Sequence, residues 1–507
     1  EIIGTAGSRL ERLDSRPHSG LCVARLKGQV EVTDAAARAR RDPRVEFAEP
    51  NYLFYPAETV PDDSYFDQMW GLFNPGSSSH GGEPGADISA TRAWDITTGS
   101  DDVVVAILDT GVELVHSDLA LNSWVNPGEA VNGTDDDGDG FIDDINGWNF
   151  ITNNNITFEN ASVDAHGTHV AGTIGALGNN GLGVVGVAWH VKLMSLKFIG
   201  KQPDGTVAGT TADAVRAIEY VIHQKRRGVN VRAINASWSG SANSRALREA
   251  ITAAGDEGIV FVCAAGNGGE DGSGDDIDDP SAAEYPAAWS GIPSLISVAA
   301  LDRSDGLADF SNYGHASVSV GAPGVSIMST LPANEYAPDG NYGTFSGTSM
   351  AVPHVTGIIA LLASHEPSLS AAAAKQRLIQ TAQPIAALAS KAVSSGRANA
   401  YNALTDTVPA AQLRPIVAAV NTSKKFVVVN GLGFLEGSSV IEVNGVALPQ
   451  TRYDSSYSIA NGTLTQLRAK LGKPAIRETF PEGLEVQVSV FNPTTGERSA
   501  PFRFTRH

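Results

Sequence analysis

The sequence predicts an α/β protein: a mainly parallel sheet with helices on both faces, preceded by a small α+β segment and followed by an all-β sandwich. Three observations point there. Between about residues 64 and 404, apolar runs of strand length alternate with helical stretches, the pattern left in a chain by parallel strands joined by crossover helices. On either side of that region the alternation is absent. The length, 507 residues, exceeds what one core organises and calls for two or three domains.

Taken in order, residues 21–26 read as a strand, 33–41 as a short helix capped by Thr33 or Asp34, and 45–55 as another strand interrupted at Pro50. No earlier strand is recognisable. A loop rich in Pro and Asp follows at 56–63. Central strands are expected at 103–108, 192–198, 233–237, 259–264 and 295–300, and helices at 169–177, 210–224, 244–257 and 350–365. After Thr407 helical periodicity stops. Residues 426–430, 440–444, 464–469, 485–491 and 502–505 read as short strands with turns at Asn430-Gly431 and Asn444-Gly445. That is a sandwich of roughly one hundred residues. The expected division is 1–59, 60–407 and 413–507.

Net charge is −20, and it is unevenly placed. Residues 1–59 hold nine basic and nine acidic groups, and residues 408–507 hold eleven basic and seven acidic, so the body between them carries the whole acidic excess. An acidic body argues against nucleic acid as a partner and favours solubility and cation binding. No apolar run is long enough to span a membrane. Two cysteines, Cys22 and Cys263, cannot make a disulfide framework, and Cys263 reads as a buried strand thiol. No signal peptide is visible at Glu1, which leads to the expectation that a targeting segment was removed or omitted.

Three short stretches carry chemistry. Asp109 ends the apolar run at 103–108, where a parallel sheet opens onto its ligand crevice. His166 opens His166-Gly167-Thr168-His169 at the expected start of a helix, and His169 is the better candidate for a structural histidine. Ser349 lies in Gly347-Thr348-Ser349-Met350-Ala351, leading into a helix whose positive N-terminal end favours negative charge beside the serine. Pro353 suits the first turns of that helix. A serine hydroxyl needs a base to remove its proton. An imidazole has the right pKa, and a carboxylate fixes the imidazole's tautomer and steadies its charge. Asn267, in Ala265-Gly266-Asn267-Gly268, would donate its amide to an oxyanion together with the Ser349 N–H.

These motifs resemble those of the subtilases, the subtilisin-like serine peptidases, over roughly residues 60–405. The resemblance implies a triad of Asp109, His166 and Ser349, with Asn267 in the oxyanion hole. It implies that Ser237, Trp238 and Ser239 form the strand pairing with the substrate backbone, with Ser239 standing where glycine is frequent. Gly205, in Gly205-Thr206-Val207, resembles the opposite strand, so that protein or peptide substrates would lie as an added strand between the two. Glu284 falls where the family lines its first-residue pocket, which suggests tolerance for Lys or Arg against the alternative of a solvated loop glutamate.

Residues 135–143 fit Asp-x-Asp-x-Asp-Gly-x-x-Asp-type spacing, with Asp135, Asp137, Asp139 and Asp143 as carboxylates and Phe141 offering a carbonyl. Position twelve is Asn146, and no flanking EF-hand helices are evident, so the reading is a structural calcium loop inserted in an enzyme. A second calcium site follows from the resemblance alone: Asp63, Asp118 and the 177–184 loop, with Leu177, Asn180, Leu182 and Val184 as donors and Asn179 competing with Asn180. Residues 270–279 are acidic enough for a third ion, though the run reads first as a solvated loop.

Residues 21–55 resemble the end of a subtilase propeptide, an intramolecular inhibitor and folding aid cut off autocatalytically, here between Tyr55 and Asp63. Residues 413–507 resemble the TIG-type immunoglobulin-like fold, carried by Pro415-Ile416-Val417, Asn430–Phe434, Val443-Asn444-Gly445-Val446 and Phe491-Asn492-Pro493. The leading expectation is a secreted, monomeric, calcium-stabilised serine endopeptidase made as a zymogen. Transfer of the acyl group to an amine, as in a macrocyclase, and an inactive binding protein stay open on the sequence.

Overall fold

Among the described residues of the computed structural model, nine strands build the central sheet, in the order Gln383–Pro384, Gly396–Arg397, Val320–Pro323, Leu295–Leu301, Val260–Ala264, Val231–Ala236, Gly99–Asp109, His190–Lys197, Gly147–Asn149. Every pairing is parallel except Gln383–Pro384 with Gly396–Arg397 at one edge. The structure describes residues 9–12, 22–25, 32–49, 58–76, 81–202, 204–269, 271–334, 341–409, 415–423, 425–432, 434, 438–453, 465–493, 497–499 and 502–506. The chain divides into two units, Glu1–Glu58 and Thr59–His507.

The Gly99–Asp109 strand shows why the central runs are continuously apolar. Val103, Val105 and Ile107 enter one core together with the Ala161–Gly175 and Thr348–His365 helices. Val104, Ala106 and Leu108 enter a second core together with the Thr211–Arg226 and Arg245–Asp256 helices. Alternate side chains leave opposite faces of a strand, and both faces are covered, so from Val103 to Leu108 no position is left for a polar residue. Helix starts follow capping chemistry. The Thr210 side chain accepts from Asp213 N–H at 3.1 Å and Ser244 from Leu247 N–H at 3.2 Å.

Several elements differ from the sequence reading. The helix expected from 169 begins at Ala161, because Asn160 caps it by accepting from Ser162 N–H at 2.8 Å and Asp164 accepts from Asn160 N–H at 3.0 Å. His166 therefore lies in its second turn rather than at its start. In the N-terminal unit, Arg9–Arg12 forms a strand antiparallel to Cys22–Arg25, although the sequence shows no strand there: four residues with a single leucine give no apolar alternation to read. A helix follows at Val32–Ala39. Residues 45–49 are not strand, and residues 50–57, which hold the rest of the expected strand and part of the expected cleavage segment, lie outside the described residues.

After residue 415 the strands are antiparallel and fall into two sheets around one apolar core of Val427, Val429, Ile441, Leu467, Val488 and Val490. Asn444-Gly445, both at positive φ, turns Val440–Val443 back onto Val446–Ala447 as expected. Asn430-Gly431 does not turn. It lies inside the Phe426–Leu432 strand, paired with both neighbours, with a bulge opposite it between Val417 and Ala419. Asn-Gly is a turn only where the next strand pairs locally, and here the partners are distant in sequence. A short helix, Lys473–Thr479, joins the strands where the sequence suggested none.

Candidate active site

Asp109 is the last residue of its strand and is fully buried. Its Oδ1 accepts from Thr110 N–H at 2.7 Å and stands 2.7 Å from His166 Nδ1. That contact leaves Nε2 as the free imidazole nitrogen. Gly167 allows the approach, since a β-carbon there would meet the Gly111 carbonyl at 2.3 Å and Asp109 Oδ1 at 3.2 Å. Burial works against the imidazolium of His166, but the charge of Asp109 and its hydrogen bond outweigh it and hold the pKa above the ordinary imidazole value. His169 is a different case. Burial pushes it down to about 3, its Nε2 meets the Ile327 carbonyl at 2.9 Å, and its ring stacks on Phe345. It is a neutral structural histidine.

Ser349 is the second residue of its helix. Its hydroxyl donates to the Ser237 carbonyl at 2.9 Å, and the Ser237 hydroxyl donates to the Ser349 carbonyl at 2.8 Å. That carbonyl is available because Pro353, four residues on, has no N–H to give it. Asn267 Oδ1 accepts from both Thr348 N–H and Thr348 Oγ1 at 2.8 Å, which fixes the orientation of the amide and leaves its NH₂ facing away. A β-carbon on Gly347 would lie 3.5 Å from Asn267 Nδ2 and 3.7 Å from Ser349 N. Two donors thus border one space beside the serine, an arrangement that can hold an oxyanion.

The strands flanking Gly99–Asp109 carry the residues expected to meet substrate. Val231–Ala236 leads into Ser237, Trp238 and Ser239 on one side, and Trp238 Nε1 donates to the Leu108 carbonyl at 3.0 Å. On the other side His190–Lys197 leads into the hairpin of Ile199–Lys201 and Val207–Gly209, where Gly205 takes a positive φ in the turn and the second strand is exposed. Glu284 sits beside Gly266, its Cγ 3.4 Å from where a β-carbon of that glycine would be, and the next residue, Tyr285, pairs with Gly240. Glu284 therefore lies beside Gly266, the residue before Asn267, and next to the Gly240–Tyr285 pairing.

Asp135, Asp137 and Asp139 come together, each offering an oxygen within 4.8 Å of the others. Three carboxylates at that spacing on a turn built by Gly138 and Gly140, both at positive φ, suit a hard divalent cation. Phe141 packs its ring on Trp148, Phe150 and Tyr220 and donates its N–H to Asp139 at 2.9 Å. Asp143 stands apart from the cluster, accepting from Asn132 and Gly133 N–H at 2.9 and 3.0 Å. The sequence reading missed Glu129 and Asp144, which group with Asp137. It also missed Arg227, whose Nη1 is 2.6 Å from Asp137 Oδ1. Glu129 lies before the motif and Arg227 at a distant helix end, so no local spacing flags them.

Asp63 and Asp118 are both buried. Asp63 accepts from Asn179 N–H at 2.7 Å, Asp118 from Asn180 Nδ2 at 2.8 Å and Val184 N–H at 3.0 Å, and the Asp118 carbonyl from Leu177 N–H at 2.9 Å. Leu182 N–H closes onto Asn180 Oδ1 at 2.8 Å. Asp63 Oδ1 is buried with no hydrogen-bond partner. Burial, with the charge of Asp118 adding to it, pushes Asp63 up to about 6. A buried carboxylate oxygen left over beside a second carboxylate fits a cation ligand.

A nucleophilic hydroxyl at a helix start, an imidazole tied to a buried carboxylate and two convergent N–H donors define a serine hydrolase of the acyl-transfer type. The family model described as the subtilase family matches residues 100–412. The chain is 35% identical over 378 residues to a thermophilic serine proteinase of Bacillus sp. (strain AK1), covering 75% of this chain and 77% of that one. It is 31% identical over 436 residues to an extracellular protease of Xanthomonas campestris pv. campestris, covering 84% and 68%. With subtilisin NAT of Bacillus subtilis subsp. natto it shares 37% over 285 residues, covering 56% and 61%. A solved structure titled as proteases from Pseudoalteromonas arctica PAMC 21717 superposes with a TM-score of 0.52 at 29% identity, covering 69% of this chain and all of that one. The protein belongs to the subtilase family and is a subtilisin-like serine endopeptidase.

Proposed function

We propose that Asp109, His166, Ser349 and Asn267 carry out peptide-bond hydrolysis through an acyl-enzyme. The observation that supports this most directly is the 2.7 Å contact of His166 Nδ1 with buried Asp109, which leaves Nε2 for the serine. Ser349 Oγ turns from the Ser237 carbonyl, gives its proton to Nε2 and bonds to the scissile carbonyl carbon. Asn267 Nδ2 and Ser349 N–H hold the oxyanion. His166 then passes the proton to the leaving amine as the C–N bond breaks. Water takes the same path in reverse: His166 takes its proton, the hydroxide bonds to the acyl carbon, the acyl–Oγ bond breaks to release the carboxylic product, and the proton returns from His166 to Ser349 Oγ.

The substrate backbone lies between Ser237-Trp238-Ser239 and the Gly205 hairpin, and the carboxylate of Glu284 favours a basic first residue. Asp135, Asp137, Asp139 and the Phe141 carbonyl would hold one calcium ion, and Asp63, Asp118, Leu177, Asn180, Leu182 and Val184 a second, which would neutralise clustered carboxylates and pin loops. The enzyme is secreted, in keeping with a relative named as an extracellular protease, and acts as a monomer; among the described residues no helix is long and apolar enough to cross a membrane. Residues 1–59 are a propeptide that inhibits the enzyme until cut between Tyr55 and Asp63, and 413–507 form a TIG-like domain.

Incubation of the purified chain with and without calcium, followed by sequencing of new N-termini, tests this reading. Wild type cleaves between 55 and 63 and Ser349→Ala does not. Equal cleavage in both overturns self-processing, and failure of a fluorophosphonate to label Ser349 overturns the triad.

A further inference from the structure

Lys197 closes the His190–Lys197 strand with its side chain 1% exposed. Its Cα lies opposite Asp109 in the parallel ladder, and the next N–H, of Phe198, donates to the Asp109 carbonyl at 3.1 Å. The ammonium has two close acceptors: the carbonyl of Thr110 and Oδ1 of Asp164, a fully buried carboxylate. A third group, the half-exposed Glu159, stands 3.6 Å away. Asp164 uses its other oxygen to accept from Glu159 N–H at 2.7 Å and Asn160 N–H at 3.0 Å, at the start of the helix that carries His166.

Removing an ammonium and a carboxylate from water is costly, and an apolar pair of the same volume often serves stability as well or better. An apolar pair, however, forms no directed bonds. Here the bonds join two particular segments. Thr110 follows Asp109 directly, and Asp164 lies two residues before His166. Thr110 Oγ1 also accepts from Gly167 N–H at 3.0 Å, on the far side of His166 from Asp164. The carboxylate and imidazole that must stay at 2.7 Å thus come from two elements 57 residues apart in sequence, and one buried ammonium holds a backbone carbonyl of the first to a side chain of the second.

We propose that Lys197 is a positioning residue for the Asp109–His166 pair, acting through the Thr110 carbonyl and the Asp164 carboxylate. This rests on the triad reading above. A merely structural ion pair would change stability when removed. A positioning pair changes the turnover step and the His–Asp hydrogen bond while leaving substrate binding nearly intact.

The test compares wild type with Lys197→Met and with the double variant Lys197→Met/Asp164→Asn, which avoids leaving a buried carboxylate charged and unpaired. Four quantities are read: the unfolding midpoint, kcat and KM on a peptide substrate, the rate of Ser349 labelling by a fluorophosphonate, and the far-downfield proton resonance of the His166–Asp109 hydrogen bond. In Lys197→Met, kcat and the labelling rate fall about ten- to hundredfold, the range that small misplacement of catalytic groups produces. KM stays within about twofold, as expected when only turnover is lost, and the downfield resonance shifts or disappears. In the double variant the midpoint recovers but kcat does not. A folded variant with wild-type kcat and an unchanged resonance overturns the proposal. So does failure of both variants to fold, which would make the pair a requirement of folding. If wild type itself is not labelled at Ser349, the triad reading falls instead, so the two failures are told apart.

Discussion

Ser237 and Ser349 are cross-paired: each hydroxyl donates to the other's main-chain carbonyl, at 2.8 and 2.9 Å. The nucleophile's own carbonyl is open to this because Pro353 withholds the helical N–H. Ser237 Oγ in turn accepts from Asn235 Nδ2 at 2.9 Å, and Asn235 Oδ1 from Thr356 Oγ1 at 2.8 Å, so a buried chain of bonds runs from the sheet into the serine helix. Ser237→Ala strands the Ser349 carbonyl and the Asn235 amide. The expected cost is about 1–3 kcal/mol of stability, the usual range for leaving a buried polar group unpaired. Denaturant titration measures it, and a change within about 0.5 kcal/mol, the range of ordinary surface substitutions, would count against the network.

Asn267→Ala removes one of the two N–H donors beside Gly347 and also the acceptor of Thr348 N–H and Oγ1. With an oxyanion role for its amide, kcat falls about 10²–10³-fold with little change in KM, as loss of the corresponding donor does in subtilisin. Steady-state kinetics on a chromogenic peptide decide it. A loss confined to KM would mean that Asn267 only binds substrate.

The pH dependence follows from His166. Its pKa is held above the ordinary imidazole value by Asp109 against the effect of burial. The base works only when neutral, so the acid limb of kcat/KM rises through that elevated pKa, above pH 6.5. In Asp109→Asn the stabilising charge is gone, the limb moves to lower pH, and kcat drops by about 10⁴-fold, as in the trypsin-like triad. A pH–rate profile of both enzymes checks sign and size. An acid limb that does not move in the variant would separate His166 from Asp109 functionally.

Chelation of calcium lowers the unfolding midpoint. A cation bound only by the folded chain at one hundred times its dissociation constant stabilises by about 2.7 kcal/mol per site. Asp137→Asn weakens the cluster that Asp137 shares with Asp135 and Asp139 on one side and with Glu129 and Asp144 on the other. In calorimetry this variant unfolds at lower temperature in calcium and loses less than wild type on adding chelator. Identical chelator responses would remove residues 135–139 from the calcium ligands.

Much of the site was legible because its chemistry is written in short stretches. Asp109 at a strand end, His166 before two small residues and Ser349 behind Gly347-Thr348 each sit in a run whose local conformation is set by nearby residues. What was misread depended on distant partners. Asn430-Gly431 looked like a turn until strands from elsewhere paired with it on both sides. The helix bearing His166 begins early because Asn160 and Asp164 cap it, and both lie before the helix expected from the sequence. Asp143 fits the calcium motif by spacing, yet its carboxylate goes to the backbone at 132 and 133.

The sequence by itself singled out Asp109, His166, Asn267 and Ser349 and the parallel sheet that carries them, since apolar continuity and residue type are local properties. The tertiary structure decided the distances: His166 Nδ1 to Asp109, the two donors facing the space beside Gly347, the crossed bonds of Ser237 and Ser349, and the buried Lys197 between Thr110 and Asp164. Those contacts join residues dozens to hundreds of positions apart. Only the packing of helices on both faces of one sheet brings them within hydrogen-bond reach, and no spacing along the chain encodes that.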